Sequence, residues 1–240
     1  MKVCTVLMSL GCSVLITSAG ACGLISSDIT SVKFDLPSRS YNFDTAQAGV
    51  NLPAATLLSL PCSAASDCCL LAGGAGIDCG LVICYTDAPS PTCALTATIE
   101  TPPQEVDLKK EVPALSGFSK QSVIDVTVSK ITYDITKNTL NVDLPAVELF
   151  VAPAGTPSTS DPMAKRFGTV PVTAAGTTIT GGQVQLDAAG QQAFVGFAHN
   201  FGTPFVFLGR TTLVVPGGMP IPNGAVALTI KGQLSAKPGL

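Results

Sequence analysis

Six cysteines crowd into one short stretch of this chain, and they restrict its possible folds more than any other feature. They lie within residues 62–93 with the spacing C-x5-C-C-x9-C-x4-C-x8-C. The stretch has no C-x-x-C pair and no histidine, so the pattern favours disulfides over a zinc site. We predict three disulfides among Cys62, Cys68, Cys69, Cys79, Cys84 and Cys93. Twelve pairings stay open if the adjacent Cys68 and Cys69 do not bond to each other.

The beginning of the chain has the layout of an export signal. It reads MKVCTVLMSLGCSVLITSAGACG, in which one lysine precedes an apolar run over residues 3–16. That run is shorter than the roughly 20 residues that span a bilayer. The small residues Ala19-Gly20-Ala21 follow, immediately before Cys22. The sequence therefore predicts a cleaved signal peptide over residues 1–21.

Cys22 is the expected first residue of the mature chain, and its surroundings resemble the lipobox of bacterial lipoproteins. Removal of the signal leaves six cysteines in the crowded stretch and Cys22 as the odd one, so its lipidation would leave an even number for disulfides. We expect a lipid on Cys22, a tether over residues 22–30, and anchoring in the bacterial cell envelope. Gly23 lacks the aspartate that marks inner-membrane retention in some bacteria, which favours the outer membrane. The alternative is a secreted or periplasmic protein with an unmodified Cys22.

The composition indicates an all-β protein with many turns. The chain has 23 glycines, 18 prolines and no tryptophan. It carries 13 basic and 16 acidic residues, and loss of Lys2 with the signal would change the net charge from −3 to −4. No run of basic residues occurs, so nucleic acid is not an expected partner.

Alternating apolar residues predict strands along much of the chain. Residues 32–43 alternate but are interrupted by Pro37, which predicts an edge strand or a bend. Residues 95–99 form a second strand. Residues 205–215 are apolar on both faces and predict a central strand, and residues 226–230 predict the last one.

The clearest alternation lies in the middle of the chain, where its phase changes twice. The changes fall between Val128 and Ile131 and between Leu144 and Val147, on either side of a polar turn at 136–139. A one-residue slip moves side chains to the other face of a sheet, and a bulge is its usual cause. We therefore expect a long bent hairpin whose two halves line different sheets of a sandwich.

Residues 188–200 predict an amphipathic helix. Their apolar side chains recur at helical spacing, and Asp187 precedes them as an N-cap. Gly190 and Gly196 would each cost an isolated helix about 1 kcal/mol relative to alanine. The helix therefore needs its phenylalanine face packed on a sheet.

These elements predict an all-β fold, an antiparallel β-sandwich with one amphipathic helix and a disulfide-rich insertion. We expect a single domain over residues 31–240 with the insertion at 62–93. Residues 122–236 resemble LEA-type (WHy-like) β-sandwiches in the stretches LNVDLPAVELFVAP, VTAAGTT and PGGMPIPNG. The whole chain also resembles the Cys-rich lipoproteins of bacterial envelopes. The first resemblance implies a non-enzymatic protein, and neither one supplies a catalytic residue to carry over to this chain.

The chemistry-bearing residues predict no enzyme and no cofactor. No nucleophile elbow, zinc-protease motif, phosphate loop or dinucleotide fingerprint occurs. The single histidine, His199, lies near the end of the predicted helix, where the helix dipole favours a cation. We expect a structural or interaction module whose stapled loop contacts an envelope protein. The alternatives are a carrier of an apolar ligand between the sheets and, less favoured, a hydrolase using His199.

Overall fold

The computed structural model describes residues 32–48, 56–74, 78–86, 90–115 and 123–238. Cys22 and the predicted signal and tether lie outside these residues. Ser31–Leu240 forms one compact unit. Within the described ranges, no helix has the length and apolar character needed to cross a membrane.

The described chain is mostly β-strand. The strands are β1 (Val32–Asp44), β2 (Val82–Tyr85), β3 (Thr92–Glu100), β4 (Gln104–Val106), β5 (Val123–Asn138), β6 (Val147–Pro153), β7 (Lys165–Val170), β8 (Ile179–Gln183), β9 (Gln185–Leu186), β10 (Phe205–Pro216) and β11 (Ala225–Pro238). The α-helices are α1 (Ala65–Gly74), α2 (Leu108–Glu111) and α3 (Ala188–His199). Short 3-10 helices lie at Thr45–Ala48, Cys79–Leu81 and Pro113–Leu115.

The strands form two sheets that pack face to face. One has the order β1-β11-β5-β8, and the other has the order β2-β3-β10-β6-β7-β9 with β4 also paired to β10. Every described pairing is antiparallel. The main core draws buried side chains from both sheets, among them Tyr41, Ile135, Leu149, Phe205 and Leu228. The predicted all-β antiparallel sandwich is confirmed.

The first strand combines both features that Pro37 predicts. β1 lies at the edge of its sheet, and its register with β11 shifts between Leu36 and Arg39. Arg39 resumes the ladder and points to α2, where its Nη2 lies 2.7 Å from the carboxylate of Glu111. The same nitrogen donates to the carbonyl oxygen of Glu105 over 2.6 Å. An irregular edge with a charged side chain is a poor template for pairing with another chain.

The phase change within β5 arises from a bulge, as predicted. Lys130 pairs with Gln233 and Val128 pairs with Leu234, so Ser129 has no partner in the β11 ladder. Val126 and Ile131 are therefore both buried, although they lie an odd number of residues apart.

The predicted hairpin pairing is wrong. β5 pairs with β11 and β8, whereas β6 pairs with β10 and β7 in the other sheet. The two arms do belong to different sheets. Residues 139–146 cross from one sheet to the other and do not fold back as a strand paired with β5.

Hydrogen bonds of Asn138 mark the point where the chain leaves the first sheet. The buried Asn138 side chain donates to the carbonyl oxygens of Ala174 and Thr177, each over 3.1 Å, and accepts from the Leu140 N–H. The bond with Leu140 is local, whereas the other two tie the end of β5 to the 174–177 loop while Asn138 still pairs with Val226. The sequence pattern does not reveal them, because the acceptors are distant backbone groups.

The helix predicted at 188–200 is confirmed as α3. Asp187 caps it by accepting from the Ala189 N–H over 3.0 Å. Phe194 is fully buried, and its ring centroid lies 5.4–6.1 Å from those of Phe167, Phe205 and Phe207. Packing of these rings provides the docking energy that the glycine-containing helix needs.

An ion-pair network joins the first turn of α3 to the larger sheet. Arg166 lies 3.1 Å from both Glu148 and Asp187, and Arg210 lies 2.6 Å from Glu148. Partial burial raises the pKa of Glu148, but hydrogen bonds from Arg210 and Arg166 outweigh it and hold the pKa below its usual range. These charged side chains therefore serve as structural contacts between β6, β7, β10 and α3.

Candidate functional site: the disulfide-stapled cap

The cysteine-rich stretch folds as a cap on one end of the sandwich. We call residues 56–74, 78–86 and 90–93 the cap; they include α1, one 3-10 helix and β2. β2 pairs with β3 and forms an edge strand of the seven-stranded sheet. The insertion is thus partly built into the sheet. No strand was predicted here, although the four consecutive apolar or aromatic residues VICY are a strand signal.

The six cysteines form three disulfides, which confirms the predicted use of these residues. Cys62 bonds to Cys84, Cys68 to Cys93, and Cys69 to Cys79. They tie the incoming loop to β2, α1 to β3, and α1 to the 3-10 helix. Cys68 is almost completely buried whereas Cys69 is half-buried, so these neighbours join different partners. Three disulfides in one domain are consistent with an exported protein.

Two acidic residues of the cap stabilise its turns. Asp67 accepts from the Ser63 and Ala64 N–H groups over 2.8 and 3.0 Å. These bonds lower the pKa of Asp67, because they stabilise its charged form. Asp78 accepts from the Gly80 N–H over 2.8 Å and caps the 3-10 helix. Both carboxylates therefore have a local structural role.

Backbone hydrogen bonds fasten the cap to the loop at 217–224. The Gly217 N–H donates to the Cys93 carbonyl over 3.0 Å, and the Gly218 N–H donates to the Leu57 carbonyl over 2.7 Å. The Leu57 N–H in turn donates to the Met219 carbonyl oxygen over 3.0 Å. Gly218 has a φ of 87°, a left-handed conformation that favours glycine.

A small second core lies beneath the cap. It consists of the buried Leu95, Ala97, Val215 and Ile221, with Leu57, Leu81 and Val82 packed against it. Strands β3 and β10 therefore extend past the main core and are covered by cap residues. The cap therefore packs against the rest of the domain through apolar contacts and is also crosslinked by disulfides.

The cap lies at the end of the sandwich opposite to Val32, which is the first described residue of β1. Val32 pairs with Ala236, whereas Asp44, at the other end of β1, pairs with Ala225. The Thr45 N–H then donates to the carbonyl oxygen of Gly224, at the end of the 217–224 loop that is bonded to the cap. β1 has 13 residues, which corresponds to about 40 Å at roughly 3.3 Å per residue.

An apolar groove runs beside the cap, and we call it the cap groove. Its volume is about 360 Å³, and it is lined by Asn141, Val142, Asp143, Pro145, Leu213, Val214, Val215, Pro216, Met219, Pro220 and Pro222. The β6 ladder on β10 ends at Thr211, so residues 212–216 pair with β3 alone among the described strands. Val214 and Met219 are 40% and 52% exposed. The groove therefore combines an open strand edge with exposed apolar side chains.

The other residues that the sequence singles out are not part of the cap. Cys22 lies outside the described residues. His199 is the last residue of α3 and is exposed. Between the sheets, the cavity lined by Leu36, Arg39, Ile131, Phe167 and neighbouring residues measures only about 10 Å³, which is about the space that one water molecule needs.

The fold and the cap together define an all-β sandwich closed at one end by a disulfide-stapled segment. No family model matches the chain, and no curated protein matches it. Among solved structures, it is similar to one of Desmodium yellow mottle tymovirus, with 13% identity over 100% of this chain and 95% of that chain and a TM-score of 0.19. Turnip yellow mosaic virus matches with 12% identity over 61% and 94% of the two chains and a TM-score of 0.18. Scores this low support no argument about fold or function.

Proposed function

We propose that this protein is a non-catalytic lipoprotein of the bacterial cell envelope, anchored to the outer membrane through Cys22, that presents its cap to a protein partner. One observation carries the proposal: the chain joins the sandwich at Val32, and the cap and cap groove lie at the far end of β1. The cap and cap groove would then lie at the opposite end of β1 from Val32, the first described residue after the predicted tether.

Cysteine pairing supports the lipid anchor. All six cysteines of the cap are used in disulfides with each other. Cys22 is then the one cysteine after the signal without a partner in the cap. A lipid on Cys22 would remove an exposed thiol from a protein in an oxidising compartment. Such a modified cysteine would also hold the chain at a membrane surface.

The first prediction concerns the mature N-terminus. We expect mass spectrometry of the membrane-associated protein to give a chain that begins at Cys22 and carries a diacylglyceryl group. Cys22→Ser should abolish the lipid and release the protein from the membrane fraction. Cys69→Ser with Cys79→Ser is the control, because it removes two cap cysteines and should leave the lipid in place. An unmodified thiol on Cys22 in the wild type would contradict the proposal.

The chemistry of the cap groove supports a protein segment in extended conformation as the partner. An added strand can hydrogen-bond the open edge of β10 and place alternate side chains against an apolar wall. Val214 and Met219 supply exposed apolar contacts at that edge. Val215 belongs to the small second core and the Gly217 N–H donates to the Cys93 carbonyl, so one wall of the groove is fixed and binding would cost little ordering entropy.

The second prediction compares two methionines of similar exposure, one that lines the cap groove and one that does not. Met219 lines the cap groove and is 52% exposed, and Met163, in the β6–β7 connection, is 58% exposed. We expect a photoreactive amino acid at position 214 to cross-link an envelope protein in intact cells. Met219→Glu should lower that yield at least tenfold, because a charged side chain in the groove would remove an apolar contact with the partner. Met163→Glu should leave the yield unchanged; an equal loss in both variants would contradict a site in the groove.

A further inference from the structure

Two of the disulfides bring four sulfur atoms into one cluster. The sulfur atoms of Cys62, Cys68 and Cys93 all lie within 4.8 Å of one another, although Cys62 belongs to a different disulfide from the other two. Cys84, the partner of Cys62, stands directly opposite Cys93 in the β2–β3 ladder. The third disulfide, Cys69–Cys79, is not part of the three-sulfur group.

Backbone contacts other than the disulfides hold three of these four cysteines, and the fourth, Cys68, lies on α1. Cys84 and Cys93 are held by the β2–β3 ladder. The Cys93 N–H donates to Leu60 over 2.8 Å, and the Cys62 N–H donates to Pro91 over 3.2 Å. Reduction of both disulfides would therefore leave Cys62, Cys84 and Cys93 on these backbone contacts, facing the buried Cys68 of α1.

We propose that the reduced cap binds one Zn²⁺ ion through Cys62, Cys68, Cys84 and Cys93. Four thiolates are one of the usual ligand sets of tetrahedral structural zinc, and Zn–S distances of about 2.3 Å place the sulfurs about 3.8 Å apart. Three of the sulfurs already lie within 4.8 Å of one another, and the Cys84 sulfur, bonded to that of Cys62, would have to turn towards this group. Four ligands from three separate segments of the cap would replace two crosslinks by one metal centre.

The proposed exchange balances with a dithiol as the reductant. Each disulfide accepts two electrons and two protons from one dithiol, which is itself oxidised to a disulfide. Zn²⁺ then displaces up to four thiol protons as the thiolates bind it. The oxidised cap has no thiolate to offer, so the disulfide form and the zinc form exclude each other at this cluster. The cap is thus stapled by disulfides under oxidising conditions and by metal under reducing conditions.

The test titrates Co²⁺, and then Zn²⁺, into protein reduced with dithiothreitol and freed of reductant under nitrogen. All proteins carry Cys22→Ser, so that this thiol does not contribute. We expect one Co²⁺ per chain with the absorption of tetrahedral cobalt thiolate, and its displacement by one Zn²⁺. Cys69→Ser with Cys79→Ser should bind equally well. Cys62→Ser with Cys84→Ser, and Cys68→Ser with Cys93→Ser, should each weaken binding at least 100-fold.

Thermal unfolding distinguishes a folded site from thiols of an unfolded cap. Zn²⁺ should raise the Tm of the reduced protein and of the Cys69/Cys79 variant, and it should leave the Tm of the Cys62/Cys84 variant unchanged. Absence of the tetrahedral cobalt spectrum would overturn the proposal. So would equal binding by the Cys62/Cys84 variant, or a Tm that Zn²⁺ does not raise in the reduced protein.

Discussion

Gly190→Ala is expected to destabilise the protein by about 3 kcal/mol, at the upper end of the usual cost of overpacking. A Cβ atom at this position would overlap the carbonyl oxygen of Arg166 and the Cα atom of Phe167. Both are backbone atoms of β7, so the conflict can be relieved only by moving α3 away from the sheet. Such a movement would also loosen the contacts of the buried Phe194. Urea unfolding followed by circular dichroism measures the change.

Gly196→Ala is the matched control for Gly190→Ala. Gly196 lies in the same helix, is exposed, and would have no atom within 4 Å of an added Cβ. Alanine there should stabilise the protein by up to about 1 kcal/mol through helix propensity. Two glycines that look alike in sequence are thus expected to have effects of opposite sign. Equal effects at both positions would show that α3 does not approach β7 closely at Gly190.

Removal of the Cys68–Cys93 disulfide is expected to have a comparable effect. Cys68→Ala with Cys93→Ala should cost about 3.5 kcal/mol, the chain-entropy value for a loop of this size, because the crosslinked residues are 25 apart. Both sulfurs are buried, so truncation also leaves unfilled space beside the small second core. Hydrogen exchange should report loss of protection in β2 before loss in β10, since the bond ties the helix of the cap to the sheet.

Cys69→Ala with Cys79→Ala provides the comparison for the disulfide. This bond closes a separation of only 10 residues, for which the same relation gives about 2.7 kcal/mol. Cys79 is also exposed, so little packing is lost with it. We therefore expect this variant to be the more stable of the two. A Cys69/Cys79 variant less stable than the Cys68/Cys93 variant would contradict the role assigned to the buried bond.

Side-chain periodicity predicted most strands because each strand has one face in a common core. The phase change near Ser129 even predicted a bulge, since only an extra residue lets Val126 and Ile131 face the same side. Periodicity contains no information about which strand lies next to which. The hairpin prediction failed for that reason: β5 pairs with β11, which is distant in sequence, and not with the adjacent β6.

The candidate site was predictable in chemistry but not in geometry. The number and spacing of the cysteines predicted three disulfides, but not that the buried Cys68 joins β3 while the half-buried Cys69 joins the 3-10 helix. The cap groove could not be predicted, because its walls come from residues 141–145 and 213–222, which are far apart in the chain. Met219 has the sequence context of an ordinary loop residue, and only the end of the β6 ladder at Thr211 leaves an open edge near it.

The pairing of β1 with β11 has a consequence for when the molecule can fold. The first strand of the sandwich bonds along its length to the last, so this sheet joins residues from almost opposite ends of the domain. Such non-local pairing slows folding, because a large loop must close before any bond of the ladder forms. During synthesis, β1 has no permanent neighbour until residues 225–238 have left the ribosome. The four-stranded sheet therefore cannot close before residues 225–238 are available, whereas the strands of the larger sheet all precede residue 217 and can pair earlier.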